Sequence, residues 1–377
     1  MSSENYIQKR INPHFVFYIT FADENSVEMG EKKRLLYIDC LRGFSMIFVV
    51  YQHILTFSMT GLEASWFADI VRSFRMPLFF FISGFVSYKA LFEWNFKNLG
   101  KIQLKKIRGQ LLPTAVFFTL FISLHDKLYI GWLFDCTKSG YWFTFVSFEI
   151  FLTYCIINML FSKVKNKNIV LIVLAISAIG ISSIWYRLGN FTTRTGLLLS
   201  LDYYTRYYIY FIVGIIVKSK IDVFHKLVEN KYVTTCMFFL AFVLPYLWTG
   251  YNWKIIALTR LWCIYALFYG AKDFFEEKNI LAKGLSTIGT HTLEIYLLHF
   301  FLLFRTPHIS NFLKSLIGDH CFYGPSAEWL LEIVFVGTIS VFICFVCVAI
   351  KKIIATAFPI VSELCFGPVK KDLANRK

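Results

Sequence analysis

Arg42 and His53 stand eleven residues apart inside an otherwise apolar run, YIDCLRGFSMIFVVYQHILTFS, between Leu36 and Met59. Eleven helical steps of about 100° come to roughly 1100°, about 20° past three full turns, so both side chains share one helix face. A rise of about 1.5 Å per residue separates them by roughly 16 Å along the axis, about half the depth of a bilayer's hydrocarbon core. Ionisable groups are expensive at that depth, so such a pair faces the protein interior and has a task. Histidine is the natural base near neutral pH and can take a proton from an attacking hydroxyl. Arginine binds phosphate or carboxylate oxygens in a two-pronged grip. Asp39, three residues before Arg42, can pair with it.

Arg72 and Arg75, in VRSFRMPLFFFISGF, are three apart and share a face as well. Pro77 is tolerated in a first helical turn, which predicts a helix starting near Arg75. Two arginines at a helix end are commonly interface anchors, but the charge pattern puts this end on the outer side, where arginine is disfavoured. A specific partner is therefore expected. Ser83 and Gly84 suit close helix packing, since no base is adjacent and the G-x-S-x-G context of a nucleophile is missing. Glu149, in YWFTFVSFEIF, needs a cationic or hydrogen-bonding partner, and Arg42, Arg206 or Arg260 could supply it. In GTHTLEIYLLHFFLL, Glu294 lies three residues from His291, and Tyr296 lies three from His299. Glu294 and His299, five apart, share a face poorly. Taken alone, His299 is more often a satisfied bundle histidine than a catalyst.

The elements that position these groups are membrane helices. With 57% hydrophobic residues and 42 phenylalanines in 377, the chain carries more apolar surface than a soluble protein can hide. Apolar runs recur at 36–58, 76–93, 110–125, 142–161, 168–186, 203–217, 232–249, 255–270, 286–304 and 328–350. The expected class is an all-α polytopic membrane protein of about ten transmembrane helices with both termini cytoplasmic. A formal charge of +15 invites a nucleic-acid partner, but the distribution excludes one. Most of the 39 Lys and Arg fall on alternate loops, including Lys97 to Arg108, Lys163 to Lys167, Lys218 to Lys231, and Lys351 with Lys352. That is the positive-inside signature, with contact to anionic lipid. The localisation it predicts is multi-pass in the cell's inner (plasma) membrane.

The basic loop FEWNFKNLGKIQLKKIRGQ reads as an interfacial helix. The nine cysteines are mostly buried thiols, and no metal-ligand spacing appears. Cys136 and Cys321 fall on outer loops, where a disulfide is allowed but not required. Residues 1–33 read as a cytoplasmic extension, with Met29 a sensible alternative start, and 353–377 as a basic cytoplasmic tail. Aromatic and charged residues on the outer segments, such as Trp132, Tyr203 and Asp202, form either an interfacial belt or a sugar-binding surface.

Five strings in order, LLYIDCLRGFSMIFVVYQH, SFRMPLFFFISGF, YWFTFVSFEIF, RYYIYFIVGI and THTLEIYLLH, resemble the membrane acyltransferases of acyltransferase family 3. The resemblance covers roughly Arg34 to Lys352. Arg42, ten residues, then His53 matches one family signature; Arg72 and Arg75 match its R-x-x-R motif. Many relatives carry Gly in place of Cys40, and no fused hydrolase-like domain is present.

The resemblance implies transfer of an acyl group, usually acetyl, from cytosolic acyl-CoA to a hydroxyl of a cell-surface or lipid-linked saccharide. No resident cofactor or metal is implied; acetyl-CoA is a co-substrate. His53 is then the expected base. Arg42, Arg72 and Arg75 are expected to bind the donor or stabilise the oxyanion, with Asp39, Glu149, Arg206, Glu294 and His299 in support. Direct transfer is the default, because no serine or cysteine adjoins His53, while acylation of His53 itself stays open. The rival from another class is a secondary transporter or flippase for an anionic or glycolipid substrate, although no internal repeat is found. A polymerase-like glycosyltransferase would use a longer outer loop than the chain offers.

Overall fold

The computed structural model describes residues 35–367 apart from 60–64, 91, 126–129, 189–190, 248–252, 277–278 and most of 305–327. All regular elements among them are helical. The N-terminal extension and Cys321 lie outside the described residues.

Helix α1 (Leu36–His53) places Asp39 in its first turn, where a carboxylate favours the helix dipole. It continues as one π turn over Ile54–Ser58, beginning directly after His53. Helix α2 (Trp66–Ser87) starts at an N-cap, Ser65, whose side chain accepts from the Ala68 amide. This corrects the expected start near Arg75: Pro77 is inside the helix, and Arg72 and Arg75 are in its body. Asp69, Arg72 and Arg75 lower the hydropathy of this stretch without opposing helix, so the apolar run begins later than the helix does.

Helix α3 (Phe96–Lys106) is the basic interfacial segment, and a π turn joins it to α4 (Leu112–His125). Then come α5 (Trp142–Leu160), α6 (Lys167–Leu188), α7 (Leu201–Ser219), α8 (Ile221–Glu229), α9 (Lys231–Phe242) and α10 (Trp253–Gly270). The expected single span at 286–304 is instead three pieces: α11 (Ile280–Thr290), α12 (Thr292–Leu298) and a 3-10 turn, His299–Leu302. At the break, the side chains of Thr287 and His291 bond the carbonyls of Lys283 and Thr287, competing with the helical ladder. Helix α13 (Glu328–Ala357) and α14 (Pro359–Phe366) end the chain's described part. The segment read as a tail is thus helical to Phe366, whose ring packs 5.5 Å from that of Phe117.

Six of these helical stretches are long and apolar enough to cross a membrane: Leu36–Ser58, Trp66–Ser87, Phe96–His125, Trp142–Leu160, Lys167–Ile184 and Leu330–Ala357. The other expected spans fall on α7, α9, α10 and α11–α12, which are shorter, broken or richer in polar residues.

Two backbone-to-backbone contacts set the register around the site. A Cβ on Gly43 would collide with the Leu285 carbonyl, and one on Gly289 with that of Asp39, so α1 and α11 touch directly. Gly84 and Gly214 do the same for α2 and α7, against Phe211 and Phe81. Both helix pairs run parallel. They set two ends to the bundle, a Leu36 end and a His53 end.

Candidate active site

At the His53 end of α1, the Nδ1 of His53 lies 2.8 Å from Nε2 of His299. The two rings meet edge to edge and nearly coplanar, with centroids 5.1 Å apart and an interplanar angle of 9°, so the hydrogen bond lies in both ring planes. His299 is fully buried, and its Nδ1 is 3.0 Å from the Ile295 carbonyl. A carbonyl only accepts, so the proton sits on Nδ1 of His299. In the neutral pair, Nε2 of His299 therefore accepts, and Nδ1 of His53 must donate to it. The proton-free nitrogen of His53 is then Nε2. One backbone carbonyl, through a second histidine, sets the tautomer of the first. Phe300 stacks on His53 at 5.0 Å and steadies the ring from the other element.

His53 lines a cavity of about 30 Å³ together with Arg75, Met46, Val49, Met76, Phe79, Gly140, Trp142, Phe143 and Tyr296. That is about one water's share of liquid volume. Among the described residues nothing bonds Nε or Nη1 of Arg75, though both are buried. A guanidinium with unused donors beside a base with an unused lone pair is the central chemical feature of the molecule.

The rim of this cavity is a strained turn. Lys138, Ser139 and Gly140 all have positive φ, 45°, 49° and 97°, a conformation that costs side-chain-bearing residues energy. Lys138 is 2% exposed, and its ammonium donates to the carbonyls of Leu133, Asp135 and Leu197 at 3.0, 3.1 and 3.0 Å. Burial lowers the pKa of this loop lysine. The Asp135 carboxylate accepts from the amides of Thr137 and Ser139. Tyr296 closes the turn, donating to the Gly140 carbonyl at 2.7 Å and accepting from the Phe143 amide at 3.2 Å.

Two larger cavities flank the small one. Toward the Leu36 end, a cavity of about 210 Å³ is lined by Arg42, Lys106, Ser83, Ser87, Gln110, Ser147, Thr292 and others. Phe79, Phe143 and Tyr296 line both it and the His53 cavity, so these three rings form the partition. Arg42 donates to Thr292 at 3.0 Å and lies 3.8 Å from Asp39. Toward the His53 end, about 290 Å³ is bounded by Arg72, Pro77, Arg206, Tyr207 and Trp253. Arg72 pairs with Asp69, and Arg206 with Asp202 at 3.1 Å. A further cavity, about 540 Å³ between Lys89, Trp94, Tyr154 and Lys167, holds none of the residues with unused donors or acceptors described above.

The residues singled out by sequence therefore divide. Arg42, Asp39, His53 and His299 lie along one face of α1 where α11 and α12 pack. Arg72 and Arg206 share the His53-end cavity, away from Arg42, while Arg75 joins His53. Glu149 meets none of the arginines suggested for it: Arg206 pairs with Asp202, Arg260 donates to Ala241 and Ser73, and the cation that acts on Glu149 is Lys138. Glu294 makes no hydrogen bond or ion pair with a described residue.

Sequence reasoning missed Tyr296 as a wall, the Lys138–Gly140 turn, Lys106, and Glu332. The last is fully buried and accepts from Tyr51 at 2.6 Å and Ser65 at 2.9 Å. It thereby fastens α1 two residues before His53 to the cap of α2. A glutamate within EWLLEIVF was visible by the same rule that flagged Glu149. No cluster of three or more His, Cys, Asp or Glu suited to a metal ion occurs among the described residues.

Compared with known proteins, residues 35–349 match a family model described as an acyltransferase domain, over nearly the whole described chain. No curated protein and no solved structure matches. Helices suited to a bilayer agree with that match, and the chain belongs to the membrane acyltransferases of family 3.

Proposed function

We propose that the protein moves a small acyl group, acetyl, from cytosolic acyl-CoA to a hydroxyl of a cell-surface or lipid-linked saccharide, in the inner (plasma) membrane. The observation that carries this reading is the His53 cavity: a base of defined tautomer and an unsatisfied guanidinium, lying between two larger cavities. On this reading the Leu36 end is cytoplasmic. Support comes from Lys101, Lys105, Lys106, Lys163, Lys165, Lys351 and Lys352, which all fall at that end of their helices. The chain then crosses the membrane about ten times, with α7, α9, α10 and α11–α12 as the remaining spans.

In the mechanism the thioester enters from the Arg42 cavity, where Arg42 and Lys106 favour its phosphates. The acceptor enters from the Arg72 cavity. Nε2 of His53 takes the hydroxyl proton as the oxygen attacks the thioester carbonyl. The carbonyl oxygen gains negative charge opposite Arg75, whose free N–H groups bond it. Collapse expels the CoA thiolate, which recovers the proton from His53, so no net proton is consumed.

The test uses inside-out vesicles given labelled acetyl-CoA. Wild-type membranes should leave label on saccharide, and His53→Ala should reduce it by about 10²–10⁴-fold. Equal labelling by His53→Ala would end the proposal.

A further inference from the structure

The cavity at the His53 end has a composition that the acyl-transfer mechanism does not require. Two of its described lining residues, Arg72 and Arg206, are guanidinium groups, and no carboxylate is among the described ones. Each arginine has a carboxylate neighbour on its own helix, Asp69 and Asp202. The Asp69 side chain is 64% exposed, however, and Arg72 is 41% exposed. That pair is open to solvent and neutralises little, whereas the Arg206–Asp202 pair, 32% and 24% exposed, is partly shielded, so the excess positive charge of the cavity rests chiefly on Arg72. A third cation, Lys254, follows Trp253 directly and lies within electrostatic reach of Arg206. The glycine contacts between α2 and α7 hold the two arginines in fixed relation.

From this cavity a stacked aromatic ladder leads to the base. Tyr207 lines the cavity and stacks with Trp142 at 5.5 Å and 18°, and with Phe80 at 5.0 Å and 8°. Trp142 in turn stacks with Tyr203 at 4.0 Å and also lines the His53 cavity. These rings cover one another, with Tyr207 8% exposed, and form a rigid wall between the cavity and the base.

Resting on the acyltransferase reading above, we infer that the acceptor is an acidic saccharide. Its carboxylate or phosphate lies between Arg72 and Arg206, beside the aromatic wall of Tyr207 and Trp142 that leads toward His53. Arg72 and Arg206 are then acceptor-specificity residues rather than donor-binding ones. Guanidinium groups recognise the paired oxygens of either anion, so the sources are separated by experiment.

The full-length protein in lipid nanodiscs is given acetyl-CoA with glucose, glucuronate or glucose 1-phosphate at constant ionic strength. Glucuronate or glucose 1-phosphate should exceed glucose in kcat/KM by about tenfold or more, and the better of the two identifies the anion. Arg206→Gln should cut that ratio about tenfold, and Arg206→Lys should restore part of it. Equal kcat/KM for all three sugars overturns the inference, as does a ratio that Arg206→Gln leaves untouched.

A second measurement separates this from failure of the acyl-transfer reading. Without acetyl-CoA, glucuronate or inorganic phosphate should raise the melting temperature of the wild-type nanodisc protein, and glucose should not. Where no sugar is acetylated, that anion-specific stabilisation, lost in Arg206→Gln, still supports the site; its absence rejects it.

Discussion

If Ile295 and His299 set the tautomer of His53, removing His299 should damage catalysis in a way that a suitable acceptor repairs. His299→Ala deletes the Nε2 acceptor 2.8 Å from His53 Nδ1. A hydrogen bond of this kind in a buried site is worth about 1–3 kcal/mol, and that energy now biases His53 toward the Nδ1–H form. At about 1.4 kcal/mol per factor of ten, losing the bias costs roughly 5- to 150-fold in the fraction of His53 able to act as base. The expected result is a fall in kcat of about 10- to 100-fold, smaller than for His53→Ala, with little change in KM for acetyl-CoA. His299→Gln places a carbonyl oxygen within reach of the same proton and should recover part of the rate. The assay is labelled acetyl transfer by protein in nanodiscs, with melting temperature measured alongside. Nitrogen NMR of His53 would report the tautomer directly. Wild-type kcat in His299→Ala would refute the reasoning, and so would failure of His299→Gln to recover any activity while folding normally.

The helix contacts and the oxyanion site make their own demands. Gly289→Ala drives a methyl group into the Asp39 carbonyl and must separate α1 from α11, so it should cost about 1–3 kcal/mol and lower transfer through the displaced His53–His299 pair. Gly180→Ala on α6, where nothing lies within 4 Å of the added carbon, should leave stability equal or raise it by up to about 1 kcal/mol. Thermal melts of both variants check the contrast. Arg75→Lys keeps the charge but loses the planar fork, and should lower kcat about 10²-fold with KM for acetyl-CoA nearly unchanged. Steady-state kinetics showing unchanged kcat would remove Arg75 from the mechanism.

Much of the site was legible because a membrane makes polar residues conspicuous. Arg42 and His53 on one face of one helix follow from spacing alone, and the face is the one that α12 meets through Thr292 and His299. What spacing could not show is which partner crosses the interface. His299 reads as a structural histidine in its own helix, and only the break at Thr290–Thr292 and the Gly43–Gly289 contact bring it to His53. The start of α2 was displaced because hydropathy reports burial in lipid rather than helix formation. Tyr296 was unremarkable as a sequence because tyrosine is common in such helices; its role comes from a carbonyl in a turn more than 150 residues away.

On the proposed mechanism, the partition between cavities is what protects the thioester from hydrolysis. A continuous aqueous channel from the Arg42 cavity to the Arg72 cavity would bring bulk water to the same base that activates a hydroxyl. Instead Phe79, Phe143 and Tyr296 close one side of a space of about 30 Å³, and the Lys138–Gly140 turn closes another. On that mechanism the strained turn takes part in the chemistry: Lys138 and Tyr296 hold it in place, and it would keep the meeting point small. Loosening it by Tyr296→Phe removes both hydrogen bonds that hold Gly140 and Phe143 together. The expected outcome is a higher ratio of acetyl-CoA hydrolysis to transfer, read by free thiol release with and without saccharide. An unchanged ratio would mean that water is excluded by something other than this turn.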